Sequence, residues 1–245
     1  MTPPTTTAEG VRARARTEMR QAILDTARAH LVEQGATGLS LRAVARDVGM
    51  VSSALYRYFE NRDALLTALI IEAYDSLGEA AERAEARVDR DDLEGRWLAV
   101  ATTVRGWALA HPHQYALVYG SPVPGYRAPQ DTIGPATRVA ALLAGLLRDI
   151  AGGDDGADAA GGPAAGAGTE PPADAVAAVA PMRAFLGEQV PADLALRGLL
   201  AWTAVFGLVS FELFGQLHNV VEPDGREAVF EAEARRLARQ VLVTG

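Results

Sequence analysis

The chain has 245 residues, 49% of them hydrophobic, with no cysteine and with 23 basic residues against 31 acidic ones. That length supplies core for one large or two small domains, and the lack of cysteine excludes disulfides, cysteine-ligated zinc and thiol redox chemistry. The net charge of −8 argues against a polyanionic partner until it is divided: residues 1–70 hold nine arginines and seven acids, and the remaining 14 arginines and 24 acids follow.

A mildly basic head therefore precedes an acidic body, so the head alone is suited to approach phosphates. Residues 1–15 read as a flexible basic arm without the apolar core of a secretory signal. Its Arg12 and Arg14, with Arg16 just beyond, could lie along a nucleic-acid backbone or in a minor groove, or simply be solvated. A first helix is expected from Glu18 to Gln34, stopped by Gly35. Ser40 can cap a second, in which Leu41, Val44, Ala45 and Val48 recur at helical spacing as one apolar stripe. Gly49 follows where a left-handed residue closes a helix at least cost. The next short helix turns Leu55 and Phe59 inward and leaves Ser52, Ser53, Tyr56 and Arg57 on its other face. Asn61 then caps a fourth helix. Helix, glycine turn and short polar helix form the helix-turn-helix plan, whose second helix lies in the major groove.

The body reads as helices throughout. They are expected at about 62–87, 92–110 with Trp97, Val100, Val104 and Trp107 on its faces, a short one after Pro112 stopped by Gly120, then 135–151, 174–186, 192–217 and 226–242. A proline-rich loop containing Tyr126 separates the third of these from the fourth. Residues 152–172 contain no large apolar side chain and read as a disordered loop inside one domain. The fold class is thus all-α: a three-helix DNA-binding domain over 16–75 and a larger ligand-binding and dimerisation domain over 76–245.

His111 and His113 stand two apart across a proline, a spacing that diverges on a helix, with no third ligand nearby, so no metal is expected. No GxSxG, phosphate loop or dinucleotide fingerprint appears, so no cofactor and no catalytic residue is expected. The longest uncharged apolar run, 14 residues between Arg197 and Glu212, suits a buried helix better than a membrane span. A cytoplasmic location and no membrane partner are the corresponding expectations.

The run GM-x-SSALYRYF-x-NRDALL, with the helix from Glu18 to Gln34 before it, resembles the DNA-binding domain of TetR-family transcriptional regulators. One position departs: Val51 stands where that family usually places a Ser or Thr that caps the recognition helix and touches a phosphate. The segments WALAHPHQYALVYGSPVPGYRAP and AWTAVFGLVSFELFG resemble a C-terminal ligand-binding class of the same family, named for a Trp-His-Gly signature. Trp202 and Gly207 fit that signature, and Phe206 replaces the histidine. The resemblance implies a homodimer on a double-stranded, palindromic operator, released by a small effector. Ser52, Ser53 and Tyr56 would face bases, while Ser40, Arg42, Arg57, Tyr58 and Arg62 would hold phosphates. An apolar or aromatic ligand would sit among Trp107, Tyr115, Tyr119, Phe185, Trp202 and Phe206. A ligand-independent regulator or activator is the alternative, and an enzyme carrying an incidental helix-turn-helix a more distant one.

Overall fold

The computed structural model describes residues 8–153 and 171–242. Among these residues eleven α-helices and no strand occur: α1 (Ala8–Gly38), α2 (Leu41–Asp47), α3 (Ser52–Leu55), α4 (Arg62–Glu85), α5 (Leu93–Ala110), α6 (Pro112–Tyr119), α7 (Ile133–Gly153), α8 (Ala173–Ala178), α9 (Ala180–Leu186), α10 (Ala192–Leu213) and α11 (Arg226–Leu242). The loop expected at 152–172 lies, from 154 to 170, outside the described residues.

Helix α1 starts ten residues earlier than Glu18. Arg12, Arg14 and Arg16 therefore ride on a helix rather than in a flexible arm, and all three are exposed. The run from Val11 to Arg20 is rich in alanine and arginine, strong helix formers, with no glycine or proline to interrupt it. Gly35, at φ +67°, breaks the helix where the sequence indicated. The single helix expected over 174–186 is two, because Pro181 has no N–H to continue the ladder of α8 and its ring crowds the preceding turn. Helix α10 ends four residues before Leu217, and Gly215 at φ +81° turns the chain just after it.

The chain forms two compact units, residues 1–74 with 111–133, and residues 75–110 with 134–245. Segment 111–133, which the sequence reading placed in the body, packs with the head. In the first unit Ile23, Leu24, Ala27 and Leu31 of α1 close over Leu41, Val44 and Ala45 of α2, Leu55 of α3, and Leu65, Leu66 and Leu69 of α4. Leu117, Val123 and Tyr126 pack against that core. In the second unit α5 packs on α10 and α11, with Trp97, Val104, Val205, Val209, Phe230 and Ala234 all buried. Trp97 Nε1 donates to the Ala234 carbonyl at 2.8 Å, fixing the register of α5 on α11. Helix α10 approaches α7 closely at Gly198, where a Cβ would stand 2.6 Å from Leu147 Cδ1.

Candidate DNA-binding surface and body cavity

The helix-turn-helix is built with few side-chain caps. Ser40 occupies the cap position of α2 with its carbonyl accepting the Val44 N–H at 3.0 Å, and its hydroxyl makes no cap bond. Gly49 has φ +77°, the left-handed conformation the turn requires. Val51 precedes α3 without a side-chain cap and is 71% exposed. Regular helix is limited to four residues of α3, but Tyr58 and Phe59 N–H both bond to the Leu55 carbonyl, so the turn runs on through the tyrosines. Asn61 caps α4, its Oδ1 accepting the Ala64 N–H at 2.8 Å.

With Leu55 fully buried and Phe59 at 3% exposure, α3 is pinned by its apolar side. The outward side presents Ser53, Tyr56 and Arg57 exposed, with Ser52 and Tyr58 half-buried; Arg42 is exposed on α2. The guanidiniums of Arg16 and Arg20 lie 6.0 Å and 5.0 Å from the ring centroids of Tyr58 and Phe59, so basic groups of α1 flank the same segment.

Arg62, expected to hold a phosphate, also bonds within the chain. Its Nε donates to the Leu39 carbonyl at 3.1 Å and its Nη2 to the Ala36 carbonyl at 2.6 Å, tying α4 to the chain just past the Gly35 break. Sequence reasoning also missed His30, which is 5% exposed and bonds through Nε2 to Asp47 Oδ2 at 2.7 Å, bracing the end of α2 against α1. Arg46 and then His30 hold the Asp47 carboxyl below the usual carboxylate range.

Of the six residues expected to line a ligand site, Tyr115 and Tyr119 belong to the first unit and Trp107, Phe185, Trp202 and Phe206 to the second. Tyr115 is fully buried in the first unit, its ring 5.0 Å from that of Tyr119, which meets Tyr74 edge-on at 5.9 Å. Burial, then Tyr74 and Tyr115, push the Tyr119 hydroxyl far above its ordinary pKa. Trp107 lies in the second unit, 7% exposed, with Nε1 donating to Ser76 Oγ at 3.0 Å. Phe185 is 47% exposed on α9. Trp202 and Phe206, with ring centroids 4.6 Å apart, do converge.

They line a cavity with Trp97, Val100, Ala101 and Val104 of α5, Val139 and Leu143 of α7, and Val205 of α10. The stripe Trp97, Val100, Ala101, Val104 has the i, i+3, i+4, i+7 spacing that reads equally as core. The lining exposes no polar surface, and the volume is ≈ 10 Å³, about what a single water requires. Among the described residues no group of three His, Asp or Glu is placed to hold a metal. His111 stands at the start of α6, where burial and then Arg28 lower its pKa.

A three-helix head with a buried scaffold and an exposed polar second helix defines the helix-turn-helix class of DNA-binding proteins. Residues 23–69 match the family model described as bacterial regulatory proteins of the tetR family, and residues 97–237 match the Tetracyclin repressor-like C-terminal domain. The HTH-type transcriptional regulator Rv1816 of Mycobacterium tuberculosis is 39% identical over 235 residues, 93% of this chain and 94% of that one. The crystal structure of the regulatory protein SCO4313 superposes with a TM-score of 0.71 at 32% identity, covering 92% of this chain and 97% of that one. A protein from Rhodococcus sp. RHA1 shares the fold, with a TM-score of 0.66 at 23% identity over 92% of this chain and 96% of that one. The chain belongs to the TetR family of transcriptional regulators.

Proposed function

We propose that the protein is a homodimeric repressor that binds a palindromic operator through Ser52, Ser53 and Tyr56 in the major groove and is released by a small, uncharged, apolar ligand. The observation that carries the DNA part is the exposed face of Ser53, Tyr56 and Arg57 standing on a fully buried Leu55. A rigid support with polar groups outward is what base reading needs. Arg42 and Arg57, exposed at its edges, are the phosphate holders of choice.

Dimerisation is supported by α10. Leu200 is 57% exposed and Phe211 55%. With Ala204, Gly207 and Leu208 between them they form one apolar stripe at helical spacing. That helix is long and apolar enough to cross a membrane, yet it carries buried Leu194, Ala195, Ala201, Val205 and Val209 on its other side. A second copy of the same helix is the cover we assign to its outer stripe, and the place of action is the cytoplasm.

The ligand class follows from the lining of the cavity, where nothing would offset the desolvation of a charge. A second reading, regulation without a ligand, is favoured by one observation: the cavity holds no more than about one water. Duplexes recovered from genomic DNA with the full-length protein test the proposal. A dyad-symmetric sequence is expected, with Tyr56→Ala losing about 1–3 kcal/mol of specific binding, as for a good base contact. Recovery of unrelated sequences, or unchanged binding by Tyr56→Ala, contradicts it.

A further inference from the structure

One charged group of the second unit serves neither the DNA face nor the cavity wall. Arg138 of α7 grips α4 on three successive turns. Its Nε and Nη2 donate to the two carboxylate oxygens of Glu82 at 2.8 Å and 2.7 Å. Its Nη1 donates to Asp75 Oδ1 at 2.9 Å and to the Asp75 carbonyl at 3.2 Å, with Glu79 Oε1 at 3.9 Å. Between these partners lies Gly78. A Cβ there would stand 2.8 Å from the Cβ, Cδ and Nε of Arg138. The clash would be with the stem as well as the tip, so glycine cuts the notch in which the arginine lies. The guanidinium holds the Glu82 carboxyl below its ordinary range, and the pair stays ionised across physiological pH.

The next residue, Val139, is 4% exposed and lines the cavity, as does Leu143 one turn on. Successive helical positions point about 100° apart. One residue of α7 therefore faces α4 while its neighbour faces the cavity.

We infer that Arg138, seated in the Gly78 notch, is the grip through which α4 reads whether the cavity is filled. The inference rests on the cavity being the effector site. At ≈ 10 Å³ the cavity admits nothing larger than water unless α7 parts from α5 and α10. A two-pronged guanidinium–carboxylate pair fixes both position and angle, so α7 cannot shift at Val139 without drawing α4 along or breaking the pair. Helix α4 is continuous from Glu85 back to Arg62. Its first half supplies Leu65, Leu66 and Leu69 to the core that holds the recognition helix. A ligand that favours the parted arrangement then biases the DNA-binding arrangement by its difference in affinity for the two.

The test uses full-length protein, a duplex recovered from genomic DNA, and Ala101→Met as the probe that fills the cavity from the α5 wall. Should that change unfold the body, Val205→Leu adds a single methylene from the α10 wall of the same cavity. The cycle is run in the parent, in Arg138→Met, and in Gly78→Ala, which keeps every charge and evicts the arginine stem. Glu82→Gln, of equal size, stands in if Arg138→Met does not fold. Filling the cavity is expected to lower operator affinity roughly ten-fold in the parent, within the ordinary range of allosteric coupling. In the variants the loss should shrink to less than about two-fold, the scatter of independent sites. An equal loss in all backgrounds overturns the inference while leaving the cavity coupled to DNA. No loss in the parent overturns the effector reading itself, and the inference with it.

Discussion

Replacing Arg62 by Ala separates two roles for one residue. As a phosphate ligand it would contribute to every duplex and to the salt slope. In the structure its side chain is 30% exposed and spends Nε and Nη2 on the carbonyls of Leu39 and Ala36, with Thr37 O at 3.5 Å and the Asp63 carboxylate at 3.7 Å. Those carbonyls lie at and just past the C-terminal end of α1, beyond the Gly35 break, where helix carbonyls draw on other donors. A hydrogen bond from a charged group contributes about 1.5–3 kcal/mol, and water can replace part of it at a site this exposed. Two bonds so discounted give about 2–4 kcal/mol lost from the head. Hydrogen exchange of α1–α3 amides in the full-length protein is the assay, because two compact units need not unfold together. Protection should fall roughly 30- to 1,000-fold there, at 1.4 kcal/mol per decade, and Arg62→Lys should recover only part of it. Unchanged protection, with a flatter salt dependence of DNA binding, would refute the structural role and return the guanidinium to a phosphate.

Trp107→Ala should cost about 3–5 kcal/mol of stability, since the indole is 7% exposed and bonded to Ser76; a stable variant in urea titration would argue that the site is not core. His111 is a base whose folded pKa is depressed, so above pH 6.5 it is neutral folded or unfolded and contributes no pH dependence. Below 6.5 the unfolded chain takes the proton first, so stability falls as pH drops from 6.5 toward the lowered folded value and levels off below it. Urea midpoints at pH 7.5 and 5.5 should therefore differ less in His111→Gln than in the parent, and an equal difference in both would remove His111 from that slope.

The head was largely legible in the sequence because its local signals agree. The 3.6-residue stripe of α2, the φ-positive Gly49, the Asn61 cap and the buried Leu55–Phe59 pair each point to one arrangement. The start of α1 was not, since a helix of exposed Ala and Arg carries no apolar periodicity. The cavity was only half legible. Trp202 and Phe206 came from one helix and were foreseen together, but their partners across the gap are aliphatic residues of α5 and α7 that look like any core stripe. Tyr115 and Tyr119 share the body's composition and pack with the head, a long-range choice that spacing does not encode. The carbonyl bonds of Arg62 were not legible for a related reason: an arginine near a recognition helix has the same letter whether it meets a phosphate or a carbonyl.

On the proposed function, two copies of this head read one symmetric DNA site. Hydroxyl-radical footprinting of the full-length protein on a duplex recovered from genomic DNA tests it most directly. Two equal protections related by a dyad, their centres about one helical turn apart or a multiple of it, both weakened by Tyr56→Ala, are the predicted result. A single protection, or a uniform one that ignores sequence and Tyr56, would contradict it.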